Sequence, residues 1–155
     1  TMADPEIEKS SGNSAFRSGD YSKAISHFSN AISLAENNYN FDNLHIYYSN
    51  RSAAYLKNSD GANSLSDADK CTKLIPDWAK GWGRKGAAFL YLGKNDLAIE
   101  AYTKAISLDP NNIEYQTGLE NSKNSKSSGQ NNGSFAAKFI GFVGRNRLLS
   151  LFFVL

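Results

Sequence analysis

Residues 86–110 read GAAFLYLGKNDLAIEAYTKAISLDP, and residues 12–36 read GNSAFRSGDYSKAISHFSNAISLAE. Laid over one another, the two stretches share Gly12 with Gly86, Gly19 with Gly93, Ala24-Ile25 with Ala98-Ile99, Phe28 with Tyr102, and Ala31-Ile32 with Ala105-Ile106. Between them lies a more divergent copy, carried by Tyr55, Ser64-Leu65, Ala68, Cys71-Thr72 and Pro76. From Ser64 to Ala98, Ala68 to Tyr102, Cys71 to Ala105 and Pro76 to Pro110 the interval is always 34 residues. From the first copy to the second it is 40, so about six residues are inserted around Asn37–Asp42. A fixed period in this range marks a stacked repeat in which each unit buries its apolar face against the next.

Inside each unit the signals are helical. Small residues (Ala24, Ala31, Cys71, Ala98, Ala105) fall where the two helices of a hairpin approach closely, and Phe28 and Tyr102 fill the gaps between neighbours. Asp4 followed by Pro5 reads as an N-cap with Pro at the first helical turn, and Asp20, Asp42, Asp60, Asp77 and Asn95 stand at the other expected caps. Gly19 and Gly93 suit tight turns, and Pro76 and Pro110 end second helices. The segment with Ile113, Tyr115 and Leu119 gives one more partly apolar helix, as expected at the end of a repeat stack.

A 34-residue helix–turn–helix unit with this pattern resembles the tetratricopeptide repeat (TPR). The expected fold is therefore all-α: three repeats at about 5–38, 45–78 and 79–112 and a capping helix at about 112–126, wound into a short right-handed superhelical solenoid with a concave groove. A polar linker over 127–134 and a hydrophobic, basic tail over 135–155 follow.

Composition bounds the function. Among 155 residues, 41% are hydrophobic and 21% charged, which suits a globular domain rather than a disordered chain. The net charge of +2 is uneven: residues 1–126 carry 14 Lys and Arg against all 15 acids, and residues 127–155 carry Lys138, Arg145 and Arg147 with no acid. A body near neutrality argues against nucleic-acid binding, which needs a clustered positive footprint. A single cysteine, Cys71, allows no intramolecular disulfide, and the acidic start of the chain gives no signal peptide, so a cytoplasmic protein is expected. In the tail, the apolar run Leu148–Leu155 is shorter than the roughly 18 residues of a bilayer span. The tail reads as a terminus that packs on the capping helix or on another copy, or as a membrane anchor, in which case the protein is a membrane-tethered docking receptor.

Catalytic and metal motifs are not evident. Gly81-Trp82-Gly83-Arg84-Lys85-Gly86 satisfies the dinucleotide-binding pattern, but that pattern needs a preceding strand, and a helical repeat with a Pro-Asp turn precedes it here. His27 and His45 have no partner at ligand spacing. No enzyme activity, metal or cofactor is expected.

What remains is a set of cations and amides on the first helices of the repeats. Lys9 with Asn13, and Lys80 with Arg84, are each spaced i, i+4 and share a helix face. Asn50 sits six residues into the second repeat, as Arg84 does in the third. Two lysines, an arginine and two amides converging with no matching acid form a site for an anion with several carboxylate oxygens. Lys9-x-x-x-Asn13, Asn50 within Tyr48-Ser49-Asn50-Arg51-Ser52-Ala53-Ala54-Tyr55, and Lys80-x-x-x-Arg84 following Pro76-Asp77-Trp78 resemble the dicarboxylate-clamp TPR domains of chaperone cofactors, most of all the first TPR domain of the Hsp-organising co-chaperones.

That resemblance implies a co-chaperone adaptor that grips the C-terminal Glu-Glu-Val-Asp tail of heat-shock protein 70, or of heat-shock protein 90. It places Lys9, Asn13 and Asn50 on the terminal main-chain carboxylate, Lys80 on the Asp side chain, and Arg84 on an upstream carbonyl or carboxylate. Phe16 and Ala53 are further candidates for the pocket that takes Val. Three features depart from the family: the insertion, Gly61 where an aromatic usually packs, and the hydrophobic tail.

Overall fold

The computed structural model describes residues 4–38 and 41–128. The linker beyond Ser128 and the whole tail, with the anchor reading attached to it, lie outside the described residues. Among those described there are seven helices and no strand: α1 (Pro5–Arg17), α2 (Tyr21–Asn37), α3 (Leu44–Lys57), α4 (Gly61–Leu74), α5 (Ala79–Tyr91), α6 (Asn95–Leu108) and α7 (Ile113–Ser128). The last helix takes in Ser127 and Ser128, two residues that the sequence assigns to the linker.

Each helix packs on its successor, and α1, α3, α5 and α7 also touch along the stack, whereas α2, α4 and α6 make no comparable contact with one another. The odd-numbered helices are therefore the inner layer of a curved array, and the even-numbered ones splay along its outside. Curvature of this kind produces the concave binding face of a helical solenoid.

One aromatic-for-small exchange explains the packing within hairpins. In the first and third repeats Phe28 and Tyr102 lie on glycines: a Cβ at Gly12 would stand 2.6 Å from the Phe28 ring, and one at Gly86 2.9 Å from the Tyr102 ring. In the second repeat the aromatic is replaced by Ala68, and the facing residue grows to Ser52, whose hydroxyl lies 2.9 Å from the Ser64 carbonyl, to which it donates. Both pairs keep the interior filled, as close packing demands. The missing aromatic at Gly61 is made good from the next repeat, because a Cβ there would stand 2.6 Å from the ring of Tyr91.

The helix ends show how local chemistry sets the boundaries. Asp4, Asp20 and Asp60 accept from the backbone N–H groups of Glu6, Lys23 and Asn63 at 2.9–3.0 Å, the bonds expected of N-caps. Three expected caps are displaced by one residue: Asn43, Trp78 and Lys94 cap in place of Asp42, Asp77 and Asn95, none with a side-chain bond to the helix. Asn43 donates its amide to Glu6, and Trp78 is held edge-on against His45 with ring centroids 4.8 Å apart, so both of these cap residues are placed by tertiary contacts. At the other ends, Ile75 and Asp109 are extended (φ −133° and −141°) immediately before Pro76 and Pro110, as pre-proline residues prefer. The insertion partly lengthens a helix, since α2 has 17 residues where α4 and α6 have 14.

The turns inside the hairpins require a positive φ, taken by Gly19 (82°), Ser59 (64°) and Gly93 (71°). Only Ser59 adopts it against the steric preference of an L-residue. Ser59→Gly is expected to stabilise the domain by about 0.5–1 kcal/mol, read as a rise of roughly 2–4 °C in the thermal midpoint.

Candidate carboxylate-binding site

Helices α1, α3 and α5 carry the five residues that the sequence singles out, all on the inner layer. Asn50 on α3 donates its amide to the Asn13 carbonyl oxygen on α1 across 3.3 Å, joining the first two repeats at the site itself. On α5, Lys80 and Arg84 lie one turn apart and repel. Burial, together with the charge of Arg84, holds the Lys80 ammonium below the usual lysine value. Its nitrogen stands 6.0 Å from the centroid of the Trp78 ring, at the outer limit of a cation–π contact.

Among the described residues, neither Lys80 nor Arg84 has a carboxylate within ion-pairing distance. The Arg84 Nε is buried and has no hydrogen-bond partner there. A buried cationic donor left unsatisfied costs free energy that an anionic acceptor recovers. Unpaired cations on α5 and an amide pair linking α1 to α3 form a surface suited to a ligand with two carboxylates.

Lys9 differs from the expectation of a site with no acid. Its ammonium is paired with Glu6, three residues earlier on α1. The i, i+3 spacing was visible in the sequence as a helix-surface pair. The other partners of Glu6 were not: it also accepts from the Tyr47 hydroxyl at 2.5 Å and the Asn43 amide at 3.2 Å. Hydrogen bonds from Lys9 and Tyr47 hold this carboxyl below the ordinary glutamate range.

Phe16 is partly buried against the cluster of Ala15, Ala24, Phe28 and Ala54, with its ring edge-on to Tyr21 at 5.4 Å. Ala53, on the α3 turn after Asn50, is partly exposed.

Behind the site, Arg51 ties the repeats together. Its guanidinium bonds both oxygens of Asp67 on α4, at 2.7 and 2.9 Å, and the Ser29 hydroxyl on α2 at 2.9 Å. Because Arg51 follows Asn50 in α3, this buried fork fixes the helix that presents the amide. The pairing joins residues 16 and 22 positions apart, beyond any local sequence signal.

The remaining chemistry-bearing residues serve packing. The G-x-G-x-x-G stretch lies within α5, where Gly81, Gly83 and Gly86 face Cys71, Tyr115 and Tyr102 respectively. Cys71 is fully buried, donates to the His45 carbonyl at 3.3 Å, and has its thiol pKa pushed up to about 12, chiefly by burial. His27 meets Glu8 at 2.8 Å. No group of three metal-ligating side chains occurs among the described residues.

Helix hairpins in a 34-residue register, stacked with their first helices inward, define the tetratricopeptide-repeat class, and this chain has that fold. A family profile for the tetratricopeptide repeat matches residues 79–112. Within the class the chain is similar to the organising co-chaperones. It is 50% identical over 112 residues to the heat shock protein sti1 homolog of Schizosaccharomyces pombe, covering 72% of this chain and 18% of that protein. It is 45% identical over 115 residues to the Hsp70-Hsp90 organizing protein of Triticum aestivum, covering 74% and 19%. The chain thus spans under a fifth of the length of these relatives.

Solved structures share the fold. The Sgt2 TPR domain from Aspergillus fumigatus superposes with a TM-score of 0.73 at 29% identity, covering 89% of this chain and 97% of that one. The first TPR of Spaghetti (RPAP3), bound to the HSP90 peptide SRMEEVD, gives 0.73 at 25% identity, with 83% and 97% covered. The second TPR domain of human RPAP3, in complex with the HSP70 peptide SGPTIEEVD, gives 0.66 at 27% identity, with 77% and 98% covered.

Proposed function

We propose that this domain is a non-catalytic co-chaperone adaptor of the cytoplasm that binds the C-terminal Glu-Glu-Val-Asp tails of heat-shock proteins 70 and 90 through a dicarboxylate clamp. The observation that carries the reading is the pair of cations without an ion-pair partner among the described residues, Lys80 and Arg84, one with a buried donor unmet, on the helix beside the Asn13–Asn50 bridge. Lys9, Asn13 and Asn50 take the terminal main-chain carboxylate, Lys80 the Asp side chain, and Arg84 an upstream carbonyl or carboxylate. Phe16 and Ala53 contribute to the pocket for Val. Fold neighbours with bound peptides that end Glu-Glu-Val-Asp support the choice of such tails as ligands.

Because the clamp reads carboxylates shared by both chaperones, peptides ending Ile-Glu-Glu-Val-Asp and Met-Glu-Glu-Val-Asp should both bind, with upstream residues setting the ratio. Calorimetric titration is expected to show saturable binding of both, weakening as salt is raised because the groove is open to solvent. No saturable binding of either peptide would refute the assignment.

A further inference from the structure

Glu6 stands out among the groups around the clamp because its two oxygens are used separately. Oε1 takes the Tyr47 hydroxyl and the Asn43 amide, both from α3 and its N-cap, and Oε2 takes the ammonium of Lys9. Tyr47 is almost fully buried, so it anchors the carboxylate from the protein side, and Asn43, the N-cap residue of α3, donates its amide to the same oxygen. Lys9 is thus the one clamp cation with an acid of its own, whereas Lys80 and Arg84 have none among the described residues.

Resting on the carboxylate-binding reading above, we propose that Glu6 is a built-in carboxylate that competes with the peptide's terminal carboxylate for Lys9 and so sets the affinity of the site below what its cations alone would give. The competition is electrostatic rather than steric. An ammonium has three donors and can bond two acceptors at once, but a second carboxylate brought to the same ammonium meets the charge of the first. The pair is partly exposed, with side chains 23% and 42% accessible for Lys9 and Glu6, so water and salt moderate the effect.

Glu6→Gln tests this, because a glutamine can keep the carbonyl oxygen toward Tyr47 and Asn43 while an uncharged amide faces Lys9. Calorimetry with a peptide ending Glu-Glu-Val-Asp should show binding about two- to five-fold tighter than in the parent, and the gain should shrink as salt rises. Glu8→Gln is the control: it changes the net charge equally, but Glu8 is bonded to His27 and Asn30 on α2, and its affinity should stay at the parent value. Unchanged or weaker binding by Glu6→Gln overturns the proposal, as does an equal gain from Glu8→Gln. A parent domain that binds no such peptide overturns the carboxylate-binding reading as well, so the two failures are distinguishable.

Discussion

Lys80→Ala should weaken the binding of a Glu-Glu-Val-Asp peptide by about one to two orders of magnitude, the equivalent of losing one charge-assisted hydrogen bond worth roughly 1.5–3 kcal/mol. The expectation rests on the local electrostatics. Lys80 is partly desolvated and faces the like charge of Arg84, and it has no acid partner among the described residues, so the interaction with an incoming carboxylate is not already spent inside the protein. Arg84→Ala should act in the same direction, since the buried Nε then no longer awaits an acceptor. By contrast, Lys9→Ala should cost less than Lys80→Ala, because Lys9 already shares its charge with Glu6. Titration calorimetry on each variant, with thermal midpoints measured in parallel, checks the order. A Lys80→Ala variant that binds within two-fold of the parent would contradict the clamp.

The largest effect on stability is expected at Arg51. Its removal strands Asp67, whose side chain is only 3% exposed and whose other cationic neighbour, Lys70, lies 3.9 Å away. Breaking a buried pair from one side costs about 3–5 kcal/mol because a charge is left uncompensated. The residual contact with Lys70 places Arg51→Leu near ~3 kcal/mol, read as a fall in the denaturant midpoint with little change in slope. The double variant Arg51→Leu, Asp67→Leu should regain part of that loss, since it removes the stranded charge along with its partner. A single-variant loss below about 1 kcal/mol would mean that the fork behaves as a surface pair. The same variant is expected to bind peptide less well, because Asn50 is carried on the helix that Arg51 pins between Ser29 and Asp67.

The stack was legible because its determinants are periodic and local. Glycines at 12 and 86 opposite aromatics at 28 and 102 fix the hairpin register, and prolines at 76 and 110 close the second helices. The placement of the proposed clamp residues was legible for the same reason, since i, i+4 spacing within helices and a common place in successive repeats put Lys9, Asn13, Asn50, Lys80 and Arg84 on the inner layer. What the sequence hid depends on contacts between repeats. Asn43 and Trp78 stand where Asp42 and Asp77 are expected as caps, and their side chains contact Glu6 and His45 on other helices. Tyr91 fills the space over Gly61 from another helix, and its hydroxyl donates to the Ser59 carbonyl at 3.2 Å. Glu6 was hidden by a different route. Its spacing to Lys9 was readable, but a surface pair at i, i+3 carries little weight until Tyr47 and Asn43 are seen to hold the acid in place.

The proposed clamp would give physical content to the modest charge of the body. Lys80 and Arg84 would act as a local positive site in a segment whose 14 basic and 15 acidic residues nearly cancel, so specificity would reside in which cations lack ion-pair partners among the described residues. The most direct test compares two peptides that differ only at the last atoms: one ending Glu-Glu-Val-Asp with a free α-carboxylate, the other the same sequence amidated. A carboxylate clamp predicts that amidation, which removes one of the two gripped charges, weakens binding by at least about ten-fold. Equal affinity for the two peptides would contradict it.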